Sequence, residues 1–313
     1  MKTFIKHTDP VLLIGDGGLI ASTAVCLLNA SHRVTVCTEN TAEFKQLVDR
    51  HILAQGKGPV AKNNLITTTE LQIPAKCELV IAITHENIQA KQNLLQKLMP
   101  LVSKNVIVAI NTESIDLQTL QKGFNHPERI IGLNWTEPVH TTFFLEIISS
   151  DKDTYAAEEI LKVAKLFWAK DPYIVKNDGI RSRLLSAMAR EAAYLVDNGY
   201  ASVDDIDRAC RNDAGYYLPF CGNCRYMDLM GTYAYGMVMK ELNPDLSKDT
   251  KLPVFMEQIL KDGGLGMQNN KGFYTYTDAE VDKWKDSMEK FSYEIQSIIE
   301  KYPFNYQKET YTD

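Results

Sequence analysis

Groups able to move protons gather where the chain stops being apolar. One such edge is IGLNWTEPV, residues 131–139, where an apolar run ends at Asn134 and Trp135, Thr136, Glu137 and Pro138 follow. A strand that stops on polar residues and a proline forms the rim of a pocket. This rim carries no Lys, His or Cys, so its one nearby acid or base is Glu137, with His140 close behind. Glu137 reads either as a substitute base or as a solvated rim carboxylate. His140 reads as an exposed loop histidine that the turn at Pro138 directs elsewhere. The second stretch with chemical meaning is Gly15-Asp16-Gly17-Gly18-Leu19-Ile20. After a strand and before a helix, Gly15 makes the tight turn and Gly17 lets the backbone approach a pyrophosphate. The helix N-terminus attracts the charge. Glu39 ends the next strand, about 20 residues on, suited to ribose hydroxyls. Two positions depart from this fingerprint: Ile20 stands where a third glycine packs helix on strand, and Thr38 stands where the acid is expected. A dinucleotide site and a fold that has lost its cofactor both remain open.

The elements that must hold these residues alternate. Residues 11–15, 32–37, 77–84, 105–111, 129–134 and 143–149 are short apolar, β-branched runs, separated by helical stretches such as 19–30 and 87–102. Buried strands alternating with helices predict a doubly wound, mostly parallel sheet. The runs at 129–134 and 143–149 are joined too closely for a crossover helix, so they pair antiparallel or extend an edge. A helix over 157–170 and a short strand around Tyr173 complete this half. From about Ile180 helical periodicity dominates, and Ser202 with Asp205 opens one helix as a capping box. The expected fold class is therefore α/β: an N-terminal doubly wound Rossmann-type sheet over 1–177 and an all-helical domain over 178–313. Asn177, Asp178 and Gly179 supply the turn between them, and the tail from Pro303 is expected to fray.

Composition narrows the partners. The chain has 313 residues, long enough for two domains, and its net charge is -6 with no basic segment. That disfavours nucleic acid, which needs a basic face. No apolar run approaches the roughly 20 residues that span a bilayer. The N-terminus lacks a signal-peptide core, so a cytoplasmic protein is expected. Of the six cysteines, Cys221 and Cys224 form a C-x-x-C pair, but no second pair or histidines stand at zinc-ligand spacing. No metal is expected.

Several segments together resemble the 3-hydroxyacyl-CoA dehydrogenase family, including its short-chain 3-hydroxybutyryl-CoA members. They are the glycine loop, ELVIAITHENIQAKQNLL (78–95), AINTESI (109–115), HPERIIGLNWTEPV (126–139) with FFLEII (143–148), AREAAYLVDNGYASVDDIDRAC (189–210), YMDLMG (226–231) and GGLGMQNNKGFYTY (263–276). They cover nearly the whole chain in the family's order. The resemblance implies hydride transfer between NAD and the C3 hydroxyl or ketone of an acyl-CoA or related hydroxy acid. It also implies a homodimer formed through the helical domain. By the same resemblance Gly15, Gly17, Gly18, Glu39, Glu86, Lys91 and Asn111 would attend the cofactor, and Asn134, Glu146, Glu137 and Ser182 the chemistry.

The proton-handling set departs from the family's pattern. The family uses a His–Glu pair, in which imidazole takes the hydroxyl proton and a carboxylate orients it. Asn134 occupies the histidine position, Glu146 the carboxylate position, Ile110 a serine position, Ser182 an asparagine position, and Glu137 that of the asparagine before proline. An asparagine amide can polarise a ketone but cannot carry a proton. Losing general acid–base help without a substitute slows such a reaction by about 10²–10⁴-fold. Two functions are therefore expected in competition. One is an NAD-dependent oxidoreductase with an altered relay; the other is an inactive or repurposed binding relative. The CoA inference is weakened further at residues 51–64, short and interrupted by Gly56, Gly58 and Pro59, where the family carries a CoA-contacting hairpin. The family's Gly-Pro-aromatic turn is likewise changed, to residues 221–225, ending in Arg225.

Overall fold

A computed structural model describes residues 5–55, 62–150, 154–176 and 178–302. The chain forms two compact units, Met1–Arg183 and Leu184–Asp313. The first is built on an eight-stranded sheet. In chain order its elements are β1 (Pro10–Ile14), α1 (Gly17–Asn29), β2 (Arg33–Cys37), α2 (Thr41–Ala54), β3 (Leu65–Thr68), β4 (Leu79–Ala82) and α3 (Ile88–Leu98). Next come β5 (Ile107–Ile110), α4 (Leu117–Gln121), β6 (Ile130–Asn134), β7 (Glu146–Ser149), α5 (Thr154–Phe167) and β8 (Tyr173–Lys176).

The strand order is β3-β2-β1-β4-β5-β6-β7-β8, and every pair is parallel except β6 with β7. The close spacing of those two strands foretold their antiparallel pairing. Strand order reverses between β1 and β4, which opens a crevice at the carboxyl ends where such sheets bind ligands. Strand β3 was not apparent in the sequence. It is a four-residue edge strand, LITT, with no fully buried side chain, so it lacks the continuous apolar run that marks the inner strands. Residues 56–61, within the shortened 51–64 segment, lie outside the described residues, as does Asn177 of the turn that was expected to divide the domains.

Alternate residues of β1 face opposite sides of the sheet. Val11 and Leu13 pack with Ile20, Val25, Trp168 and other side chains in one core. Leu12 and Ile14 pack with Leu95 and Leu98 in the other. On the first side the buried His32 accepts a hydrogen bond from Trp168 Nε1 (2.9 Å), and its Nδ1 lies 3.0 Å from the Asp9 carbonyl. Its second nitrogen must therefore be the protonated one, and burial lowers its pKa. Ile20, in the place of the third glycine, is fully buried and packs against Gly15 rather than splaying the helix away.

The second unit is helical. Helix α6 (Ile180–Asp197) leads into α7 (Val203–Ala209), α8 (Gly215–Met230), α9 (Thr232–Leu242), α10 (Val254–Lys261) and α11 (Asp278–Lys301). Ser202 and Asp205 form the expected capping box at α7, and Thr277 with Glu280 forms another at α11. Helix α8 is kinked at Gly222, inside the C-x-x-C segment. Cys221 is buried and Cys224 exposed, both as thiols. The tail from Pro303 lies outside the described residues.

The compact first unit runs through the first turn of α6. The backbone N–H groups of Ile180 and Arg181 are held by Glu146 of β7.

The tightest backbone constraint near the crevice is Gly15, at φ 142°, where an added Cβ would lie 2.1 Å from the Ile83 carbonyl oxygen. Gly15→Ala is expected to cost at least about 2 kcal/mol in denaturant unfolding, since neither the dihedral nor the β1–β4 spacing can yield cheaply.

Candidate active site

The glycine loop is open and uncapped. Gly17 sits at φ 83° with nothing within 4 Å of a would-be Cβ. Asp16 is the N-cap residue of α1, yet its side chain does not cap the helix. Its carboxylate instead accepts from Thr38 Oγ1 (2.6 Å) and the Glu39 N–H (2.8 Å) at the end of β2. The Asp16 side chain thus leaves the start of α1 uncapped, and the glycine turn before it fits a pyrophosphate. Thr38, in the usual place of the acid, is buried and fastened to Asp16, while Glu39 is exposed.

Glu137 lies against this loop. Its carboxylate packs against Gly18, where an added Cβ would lie 2.1 Å from Oε1. Desolvation by its surroundings raises its pKa, opposed by the charge of His51. The loop that follows is pinned from beneath by Lys170. This ammonium is buried and donates to the carbonyls of Val139 and Thr142. His140 lies beside His51, with ring centroids 4.9 Å apart.

Across the crevice, the ends of β4 and β5 are braced by one buried cation. Lys91 Nζ donates to the Asn111 carbonyl (2.7 Å), Asn111 Oδ1 (2.9 Å) and Thr84 Oγ1 (3.2 Å), and lies 3.3 Å from Glu86 Oε2. Asn111 closes the frame, accepting from the Thr84 N–H and donating to its carbonyl. Burial lowers the Lys91 pKa, and the charges of Glu86 and Glu113 oppose that. Glu86 Oε1 receives the N–H groups of Glu113, Ser114 and Ile115 at 2.8–3.0 Å. Desolvation pushes its pKa up, but those N–H groups and Lys91 outweigh it, and the net shift is downward. The three residues expected at the cofactor here, Glu86, Lys91 and Asn111, are thus brought together, with their polar atoms turned on each other.

The Asn134 amide is also fully engaged. Its Oδ1 accepts from the Thr112 N–H (2.9 Å); its Nδ2 donates to the Thr112 carbonyl (2.8 Å) and to Glu146 Oε2 (3.1 Å). Both amide hydrogens are therefore spent. Glu146 is fully buried, and its other oxygen accepts from Tyr173 Oη (3.1 Å), the Ile180 N–H (2.7 Å) and the Arg181 N–H (3.1 Å). The Tyr173 pKa is raised by desolvation and by this carboxylate. Glu146 thus caps a helix start, and Gly179 makes the approach possible: a Cβ there would meet Glu146 Oε2 at 2.4 Å. Ile110 is buried within the second core of the sheet.

Ser182 touches neither Asn134 nor Glu146 in these contacts. Its hydroxyl donates a short hydrogen bond to Glu113. Arg181 Nη1 lies 2.9 Å from both oxygens of the same carboxylate, with its guanidinium 5.9 Å from the centre of the Phe144 ring. Glu113 was not singled out in the sequence. A usable signal was an acid two residues past Asn111, just beyond the carboxyl end of an inner strand.

A parallel sheet with its strand order reversed beside an open glycine loop, followed by a helical unit, defines a nucleotide-dependent oxidoreductase architecture. Residues 11–178 match the 3-hydroxyacyl-CoA dehydrogenase NAD binding domain, and residues 180–276 match the C-terminal domain of the same enzymes. The chain belongs to the 3-hydroxyacyl-CoA dehydrogenase family, and its cofactor is NAD. It is 29% identical over 210 residues to 5-formyl-3-hydroxy-2-methylpyridine 4-carboxylate 5-dehydrogenase of Mesorhizobium japonicum, covering 65% of this chain and 67% of that one. It is 27% identical to the fatty acid oxidation complex subunit alpha of Shewanella oneidensis over 90% of its own length, but spans only 41% of that relative. A solved structure of a 5-formyl-3-hydroxy-2-methylpyridine 4-carboxylic acid 5-dehydrogenase, described as an NAD+-dependent dismutase, superposes with a TM-score of 0.85 at 23% identity, covering 94% of this chain and 99% of that one. The (S)-3-hydroxybutyryl-CoA dehydrogenase of Ralstonia eutropha gives 0.67 at 22% identity, over 86% and 99%. Among the described residues no helix is long and apolar enough to cross a membrane.

Two outcomes follow from the buried bonds. Asn134→Asp keeps the shape but turns an oxygen toward the Thr112 carbonyl and Glu146, so it is expected to lower unfolding stability by about 2–4 kcal/mol. Glu86, with its pKa lowered in the fold, contributes stability that is complete above the ordinary glutamate range and lost as pH falls through the lowered value. Glu86→Gln should therefore flatten the acid limb of the stability-against-pH curve in urea titrations, while wild type declines below about pH 4.

Proposed function

We propose that this chain is an NAD-dependent oxidoreductase acting on a 3-hydroxyacyl-CoA or a related hydroxy acid, with a proton relay unlike the family's His–Glu pair. The observation that carries the reading is the left-handed Gly17 between β1 and α1, with nothing within 4 Å of a Cβ built there, in a sheet whose carboxyl edge also holds the Glu113, Arg181 and Ser182 cluster. When bound, NAD supplies the hydride acceptor. The chain's own residues supply the rest. Gly15 and Gly17 admit the pyrophosphate and the N–H groups of α1 balance its charge. The Asp16, Thr38 and Glu39 group stands where the adenosine ribose would lie. The Lys91 frame keeps the ends of β4 and β5 rigid, as positioning requires. A small acidic substrate without CoA accords with the likeness to the pyridine carboxylate enzyme, and an acyl-CoA with the family at large.

The competing reading, a repurposed binding relative, is favoured by one observation: the residue in the histidine position has no hydrogen left to give a substrate. The two separate cleanly. NADH fluorescence should rise on titration with the protein. NAD reduction should follow with at least one of (S)-3-hydroxybutyryl-CoA, 3-hydroxybutyrate, or 5-formyl-3-hydroxy-2-methylpyridine 4-carboxylate. NADH binding without turnover of any of these would favour the binding relative, and absence of binding would sink both cofactor and enzyme.

The same proposal includes a cytoplasmic homodimer formed through the helical unit. Among its described residues only Ala193, Cys221 and Val281 are buried apolar side chains, while Leu229, Tyr216, Tyr233, Trp284 and Phe291 stand exposed. A surface of that kind on a soluble chain marks an association face. Sedimentation should give twice the chain mass, and Trp284→Glu with Phe291→Glu should weaken the dimer.

A further inference from the structure

We propose that Glu113 is the catalytic base of this chain, with Arg181 and Ser182 as the residues that position its carboxylate. The inference rests on the oxidoreductase reading above and assigns the proton that Asn134 cannot carry.

The argument begins with where the carboxylate is held. Glu113 follows Thr112, whose N–H and carbonyl are both clasped by the Asn134 amide. Its own N–H is held by Glu86. The backbone that carries it is thus fixed from two sides at the carboxyl end of β5. In a doubly wound sheet the acid that meets the adenosine ribose ends β2, so the reacting half of the dinucleotide lies across the switch point, toward β4 and β5. Glu113 stands on that side; Glu137, against Gly18, stands at the phosphate cradle.

The side chain has the properties a base needs. About a third of it is exposed, so a substrate can reach it and a proton can leave. Oε2 takes both Ser182 and Arg181, while Oε1 takes only Arg181 and keeps a lone pair for a substrate hydroxyl. Glu146, the other acid nearby, is fully buried and spent on four donors, so it cannot serve.

The step balances. The substrate C–H bond breaks with its electron pair going to NAD, which is reduced. The O–H bond breaks with its proton going to Glu113 Oε1; for the pyridine aldehyde, the C–H and O–H are those of its gem-diol hydrate, and the product is the carboxylic acid. The C=O bond forms, and the substrate is oxidised by two electrons. The reverse reaction uses protonated Glu113 as the acid. On this arrangement the residue in the histidine position has a new task, fixing the turn that carries the base.

The test uses the full-length protein and the three substrates named above. Glu113→Gln should lower kcat/KM by about 10²–10⁴-fold while leaving NADH affinity by fluorescence and the unfolding midpoint near wild type. Glu113→Ala should be rescued by added sodium formate, which a merely structural carboxylate would not show. Glu113→Asp should retain partial activity and serves if the other variants fold poorly. Wild-type turnover with an unaffected Glu113→Gln, or loss in Glu137→Gln alone, would overturn the assignment. Absence of wild-type turnover with all three substrates would overturn the oxidoreductase reading beneath it, and the assignment with it.

Discussion

The arrangement depends on how one buried carboxylate is satisfied. Glu146 has no contact with water, and an ionised group in that position survives only where donors surround it. Four donors do, from three directions: Asn134 at the end of β6, Tyr173 at the start of β8, and two backbone N–H groups of the first turn of α6. Each of those donors is fixed as a result. Asn134 in turn clasps Thr112, Thr112 sets the turn after β5, and Glu86 gathers three N–H groups of the same turn. The carboxyl edge of the sheet is therefore a chain of hydrogen bonds with little slack, ending in the partly exposed Glu113.

This reorganises how a change at the histidine position can be understood. Replacing an imidazole by an amide removes a group that titrates, but it also supplies a group that donates and accepts at once. Only such a group can pair with both the N–H and the carbonyl of Thr112 while still donating to Glu146. The loss of one function and the gain of a structural one are the same substitution.

Much of the sheet was legible because buried parallel strands are nearly continuous apolar runs, and six such runs stand in the sequence. The antiparallel β6–β7 pair followed from a connection too short for a helix. The edge strand β3 was not legible, since LITT buries little and its pairing partner lies about 30 residues away in sequence. The tie between α6 and the sheet was not legible for the same kind of reason, because the bonds that hold its first turn to Glu146 span 34 and 35 residues. At the site, the strand-end position of Asn134 could be read from the sequence. Where Glu137 and Ser182 direct their side chains could not. Three residues along a chain that turns at Pro138 leave direction open, and Ser182 finds Glu113 across 69 residues. Glu113 itself escaped notice because an acid after a strand is ordinary until its neighbours are known.

Lys91 carries one more consequence. An amine whose pKa has been lowered is usually the one that electrophiles find first, because more of it is unprotonated at neutral pH. Such an amine is ordinarily open to acylation by any electrophile that reaches it. Here the nitrogen is sealed from solvent and its hydrogens point into carbonyl, amide and hydroxyl oxygens at the ends of two strands. The frame that makes the sheet edge rigid also keeps its most basic atom chemically silent.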